Sequence, residues 1–147
     1  MSRLEFIPQI RLLEGLNHFD FGCAPEIPLA FFGKPETEDL LQDEISQTEC
    51  LVHHYRKLGI SLFYEKSPQA RLSQVESENP GSLLNNTAIF LLSEKELIEQ
   101  LNATGHKLSE REQHPWGETC LNFDSAGLAC YFRHNKLSAL SFSQKAL

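Results

Sequence analysis

Tyr55-Arg-Lys-Leu-Gly59-Ile-Ser-Leu-Phe63-Tyr64 and, 68 residues further on, Phe123-Asp-Ser-Ala-Gly127-Leu-Ala-Cys-Tyr131-Phe132 are two spellings of one pattern. Aromatic residues meet at the first, ninth and tenth positions, Gly59 meets Gly127, and a small residue, Ser61 or Ala129, follows an aliphatic one. A turn comes next, Glu65 to Arg71 in the first copy and the shorter Arg133-His-Asn-Lys136 in the second. Leu72-Ser-Gln-Val75 then matches Leu137-Ser-Ala-Leu140. Upstream, Phe21 to Phe32 lies opposite Phe90 to Leu101. Colinear blocks at nearly constant offset are the signature of an internal repeat.

Each copy reads as one helix followed by about three strands. Ser93 with Glu96 three residues on forms a capping box, Leu97, Ile98 and Leu101 make an apolar stripe, and Gly105 closes the segment. The counterpart, Ala24 to Phe32, holds Pro25 and Pro28, which a helix accommodates only in its first turn. Alternation puts Ile60, Leu62 and Tyr64 on one strand face, with Leu128, Cys130 and Phe132 equivalent to them; Ser61, Phe63, Ala129 and Tyr131 point the other way. The expected fold is therefore α+β: an internal duplication of a helix plus antiparallel β-meander unit, with the helices packed on one face of a sheet. Residues 1–147 are expected to form a single domain of two repeats, 18–78 and 83–143, joined by Ser77-Glu-Asn-Pro-Gly-Ser82. A unit of this size buries too little surface alone, so the copies should share a core or join edges.

That order of elements over residues 18–143 resembles the architecture of the β-lactamase inhibitor proteins and the single-copy fold of the small outer-membrane-assembly lipoproteins. The resemblance implies a non-catalytic module that binds another protein. It carries over no binding residue, and neither the export signal nor the lipidation cysteine of those families is expected here.

Composition is that of a globular protein, 41% hydrophobic and 22% charged. Without an apolar run long enough to span a bilayer, or a signal-peptide pattern in MSRLEFIPQI, a cytoplasmic location is expected. The net charge of −7 and the absence of a basic stripe argue against nucleic-acid binding and against anionic membrane surfaces. Residues 1–80 carry 13 acidic and 7 basic side chains, and six of those acids, Glu36, Glu38, Asp39, Asp43, Glu44 and Glu49, fall in one stretch without Lys or Arg. Such a stretch is either a solvated loop or helix face or a docking surface for a basic partner. The four cysteines lack CxxC spacing and read as small buried hydrophobes.

Motifs for chemistry are missing. Six histidines, including Cys50-x-x-His53-His54, do not complete a metal-ligand pattern and read as surface or half-buried residues, so neither metal nor cofactor is expected. No nucleophile elbow or phosphate-cradling loop occurs. Binding residues are easier to nominate. Trp116, in His114-Pro-Trp-Gly117, is a hot-spot residue type in a turn-like context, or else a ring folded over the sheet edge. Phe63 and Tyr131 form an exposed aromatic strip, unless residues 1–16 pack over them and make them core. The expected function is a non-catalytic, protein-binding module, an inhibitor or immunity-type protein that meets a basic partner through Trp116, Phe63, Tyr131, Glu36, Glu38 and Asp39. The alternatives are a small-ligand-binding or enzymatic domain with a pocket between the repeats, near His53, His54 and Tyr55, and a subunit whose open face is buried by self-association into a homo-oligomer.

Overall fold

The computed structural model describes residues 5–45 and 47–144. In chain order the elements are β1 (Gln9–Arg11), β2 (Gly15–Leu16), β3 (Phe19–Asp20), α1 (Glu26–Phe32), β4 (Thr37–Asp43), β5 (Thr48–Tyr55), β6 (Ile60–Lys66) and β7 (Ala70–Ser77). There follow β8 (Leu83–Leu84), β9 (Thr87–Ala88), a 3-10 turn at Ile89–Leu91, α2 (Glu94–Ala103), β10 (Glu110–Gln113), β11 (Glu118–Phe123), β12 (Leu128–Arg133) and β13 (Lys136–Ser143).

The larger sheet has eight strands in the order β10-β11-β12-β13-β7-β6-β5-β4. It consists of two four-stranded antiparallel meanders joined edge to edge, with Leu140 opposite Ser77, Ser141 opposite Glu76 and Phe142 opposite Val75 at the seam. Positive φ at Gly59 (71°) and Gly127 (60°) lets the chain turn tightly into β6 and β12, a conformation costly for a residue bearing a Cβ. Each meander carries a bulge in its last strand pair, at Phe63/Tyr64 and at Tyr131/Phe132. The extra residue is a serine in both cases. Ser73 Oγ donates to the Phe63 carbonyl at 3.3 Å and Ser138 Oγ to the Tyr131 carbonyl at 2.9 Å. A bulge increases twist and re-aims side chains, and here it flanks the two outward-facing aromatics.

The expectation of an α+β fold with repeated helix units packed as a layer is overturned. Among the described residues 47% are in strands and 17% are helical, so the fold is mainly β. The physical reason is helix length. α1 has seven residues and buries only Pro28; α2 has ten and buries Leu97 and Leu101. Neither presents an apolar stripe long enough to cover an eight-stranded sheet. The second layer comes largely from a smaller five-stranded sheet, β3-β2-β1-β8-β9, whose Phe6, Ile10, Leu16, Phe19 and Leu84 flanks join the same core as Ile60, Leu62, Tyr64, Leu128, Cys130 and Phe132. Its strands are two or three residues long, and it contains one parallel pairing, β1 with β8.

Local signals at the helices hold. Ser93 Oγ accepts from the Glu96 N–H at 3.2 Å while the Ser93 N–H donates to Glu96 Oε1 at 3.0 Å, closing the capping box. Pro25 is the N-cap of α1, so Pro28 falls within the first turn, where its missing N–H has no helical acceptor. The linker is a buried polar turn. Asn79 Nδ2 donates to the Leu58 carbonyl at 2.8 Å, its Oδ1 accepts from the Gly81 N–H at 2.8 Å, and the Ser77 and Ser82 hydroxyls bond at 2.8 Å.

Candidate binding face and its polar array

Residues 1–16 were one possible cover for Phe63 and Tyr131; the described part of that segment packs on the opposite, inner face instead. Among the described residues no element lies over the outer face of the large sheet. Phe63 and Tyr131 are both half-buried there, each beside a small buried side chain of the next strand, Val52 and Cys120. They do not make one strip. β13 and β7 lie between their strands, a separation of three strand spacings, roughly 14 Å. What lies between them is carboxylate.

Glu76, on β7, stands opposite Ser61 on one side and Ser141 across the seam on the other. Loss of hydration through partial burial, reinforced by the Glu78 carboxylate, pushes its pKa above the ordinary 4.5, against the pull of His54. Two adjoining recesses share Glu76 and Glu78. One, of about 260 Å³, is lined also by His54, Arg56 and Ser61. The other, of about 540 Å³, reaches across the seam to Tyr131, Arg133 and Ala139. Glu118 and Arg133 stand 3.6 Å apart at its rim. Among the described residues neither Glu76 nor Glu78 forms an ion pair, whereas Asp20, Glu49, Glu94 and Glu118 each do.

Next to Glu76 runs a hydrogen-bonded line of three side chains. Asp39 Oδ2 lies 2.9 Å from His54 Nε2, and His54 Nδ1 lies 2.8 Å from Ser61 Oγ. Strand pairing sets this up: β4, β5 and β6 are neighbours, and Thr37, His54 and Ser61 occupy one row. The order carboxylate–imidazole–hydroxyl is that of an activated nucleophile. The surroundings oppose turnover. Ser61 is the second residue of a strand paired on both sides, where ladder bonds use the backbone N–H groups that an oxyanion hole requires. Glu76 directly opposite would repel a developing oxyanion. The array fixes the orientation of the His54 ring and offers a polar surface for binding.

The nominated residues are therefore scattered. The acidic stretch is neither loop nor helix at its centre: Glu38 and Asp39 lie on the edge strand β4 and point to opposite faces, Asp39 to His54 and Glu38 to the inner side opposite His53. Glu36 accepts the Lys57 backbone N–H at 3.0 Å. It also helps burial to push the Tyr55 phenol up to about 12. Trp116 sits at the β10–β11 turn, 65% exposed and stacked on His114 with ring centres 4.4 Å apart. Phe63, Tyr131 and Asp39 share the outer face; Trp116 and Glu36 lie off it.

Two features escaped the sequence reading. His53, read as a surface or half-buried residue, is 2% exposed. Glu76 gives no signal at all in sequence, because its importance comes from the seam. Of the cysteines, Cys120 and Cys130 are buried and Cys23 and Cys50 half-buried, all four free, and burial pushes each thiol pKa up. Among the described residues no three His, Cys, Asp or Glu side chains are grouped to hold a metal, and no helix is long and apolar enough to cross a membrane. No protein-family model, curated protein or solved structure matches the chain.

Proposed function

We propose that the protein is a binding module, of inhibitor or immunity type, that engages a basic protein partner on the outer face of its large sheet. The observation that carries this reading is the pair Glu76 and Glu78 at the seam, two carboxylates without an ion pair among the described residues and shared by two recesses. A lysine or arginine side chain entering either recess would relieve their mutual repulsion, and in the larger recess the Tyr131 ring would cover its aliphatic stem. The net charge of −7 would steer such a partner and speed its association. Asp39, His54 and Ser61 would supply directional hydrogen bonds beside it.

The test is a parallel capture from lysate of the source cells on immobilised wild-type and Glu76→Lys/Glu78→Lys proteins, with circular dichroism confirming that both fold. The reading expects a basic protein held by the wild type, released at high salt, and absent from the double variant. Identical sets of captured proteins on both would remove the seam as the contact.

A further inference from the structure

The two ends of the large sheet finish differently. Counting outward from the seam, β6 and β12 are the second strands, β5 and β11 the third, and β4 and β10 the fourth. On the inner face His53 matches Leu121, with Glu38 and Arg111 as their edge neighbours. The next inner row carries the contrast. In the first half it runs Leu72, Tyr64, Leu51, Leu40 from β7 to β4. In the second half the equivalent positions from β13 to β10 are Leu137, Phe132, Thr119 and Gln113. Both rows start buried. The second turns polar on its third strand, whereas the first keeps leucine to the edge and ends on Leu40, which is 59% exposed.

β4 is also the edge with room to pair. It has seven residues, bonded to β5 on one side only. Leu41, on its other face, is 52% exposed. β10 has four residues, Glu110, Arg111, Glu112 and Gln113, and Arg111 is tied to Glu94 at 2.9 Å. Shortness and charge are the usual protection of a sheet edge, while a longer edge with adjacent exposed leucines is a template for another strand.

We propose that β4 pairs antiparallel with β4 of a second copy, about a two-fold axis through Leu40. Leu40 is the midpoint of Thr37–Asp43, so the whole strand overlaps. Leu40 then faces its own copy, Asp39 faces Leu41, Glu38 faces Gln42 and Thr37 faces Asp43, so that no carboxylate of the strand directly opposes another. Moving the axis one residue either way sets Asp39 against itself or against Asp43, and like charges directly opposite are destabilising. The chosen register also continues the inner row: Tyr64, Leu51 and Leu40 are followed by the same three residues of the second copy in reverse. It buries the leucine that the single copy exposes. Pairing β4 with the β10 edge of another copy would lay the leucines on a mostly charged strand and propagate as an open fibre, whereas the two-fold contact closes on itself. The contact is three strands from Glu76 and stands whether or not a partner protein binds the seam.

The test is sedimentation equilibrium of the full chain from micromolar to millimolar concentration, at low and at high sodium chloride. The proposal expects a reversible monomer–dimer equilibrium. Salt should tighten the dimer, because each copy carries a net charge of −7 that salt screens. A basic partner at the seam responds to salt in the opposite sense. Leu40→Asp, which sets a carboxylate against its own copy at an exposed position, should leave only monomer over the same range. Leu91→Asp, the same change at a leucine 82% exposed in the 3-10 turn, should leave the dimer intact. Isotope-filtered NOEs in a mixture of labelled and unlabelled wild-type chains should connect the Leu40 methyl groups across the dimer, with no substitution needed. A chain that stays monomeric throughout would overturn the proposal, whether or not a basic peptide binds the edge. So would a dimer that survives Leu40→Asp, or one whose intermolecular NOEs omit Leu40.

Discussion

The two meanders of the large sheet share strand order, bulge position and bulge serine, yet they use those positions differently. Around β10–β13 the inner row holds the buried Leu121 and Phe132, with the Arg111–Glu94 pair at its edge. Around β4–β7 the same places hold His53 and Tyr64 beside an open groove, and the outer row carries Asp39, His54 and Ser61 where the other half has Asn122 and Ala129 next to the buried Cys120. One half is built for stability, while the other keeps polar groups that stability alone does not favour.

That contrast can be broken most forcefully from the closed side. Phe132→Ala should destabilise the protein by about 3–5 kcal/mol, the usual range for emptying a buried phenyl site, whereas Tyr64→Phe removes only an unpartnered hydroxyl and should not destabilise it. Equilibrium urea unfolding of the two variants checks this, and comparable losses would dissolve the distinction between the halves. A smaller effect is expected at the start of α2. Ser93→Ala, which deletes the capping box, should cost about 1 kcal/mol by the same measurement. Arg111→Ala removes the exposed partner of Glu94 and should cost less than Ser93→Ala by the same measurement.

Acidity sharpens the comparison through two glutamates that shift in opposite directions. The folded pKa of Glu76 is raised, so the native state holds that proton more tightly than the unfolded chain. The unfavourable ionisation of Glu76 is fully present above its folded pKa and is relieved as pH falls toward 4.5. Hydrogen bonds from the Ser93 backbone and hydroxyl hold Glu96 below 4.5, so its contribution is present above 4.5 and is lost as pH falls through its folded value. A cationic partner at the seam should therefore begin to dissociate above pH 4.5, before the α2 cap weakens. Affinity measured against pH, alongside helix content by circular dichroism, separates the two events.

Part of this architecture is legible in the sequence. The β6 and β12 strands show clean alternation, so Ile60, Leu62 and Tyr64 and their counterparts Leu128, Cys130 and Phe132 can be placed on the buried face from periodicity alone. The capping box is equally readable, because it depends on residues three apart. The outermost strands are not. Thr37–Asp43 and Glu110–Gln113 are exposed on both faces, so no apolar period marks them, and three strands per half are seen where four exist. The hairpins β2–β3 and β8–β9 have two-residue strands, too short for any period, and the layer they form displaces the helices from the role that the sequence suggests. The site is harder still to read. Asp39 stands out as one acid among several, but its link to His54 and Ser61 depends on register between three strands, and Glu76 depends on which edges of the two meanders meet.

The most direct test of the claim that the first half keeps buried polar groups at a cost in stability is the double variant His53→Leu/Tyr64→Phe, which installs the chemistry of Leu121 and Phe132 in that half. Differential scanning calorimetry without ligand should show the variant more stable than the wild type by about 1–3 kcal/mol, the cost of buried groups left unsatisfied. A variant less stable than the wild type would contradict the account, because it would mean that His53 and Tyr64 serve the fold itself.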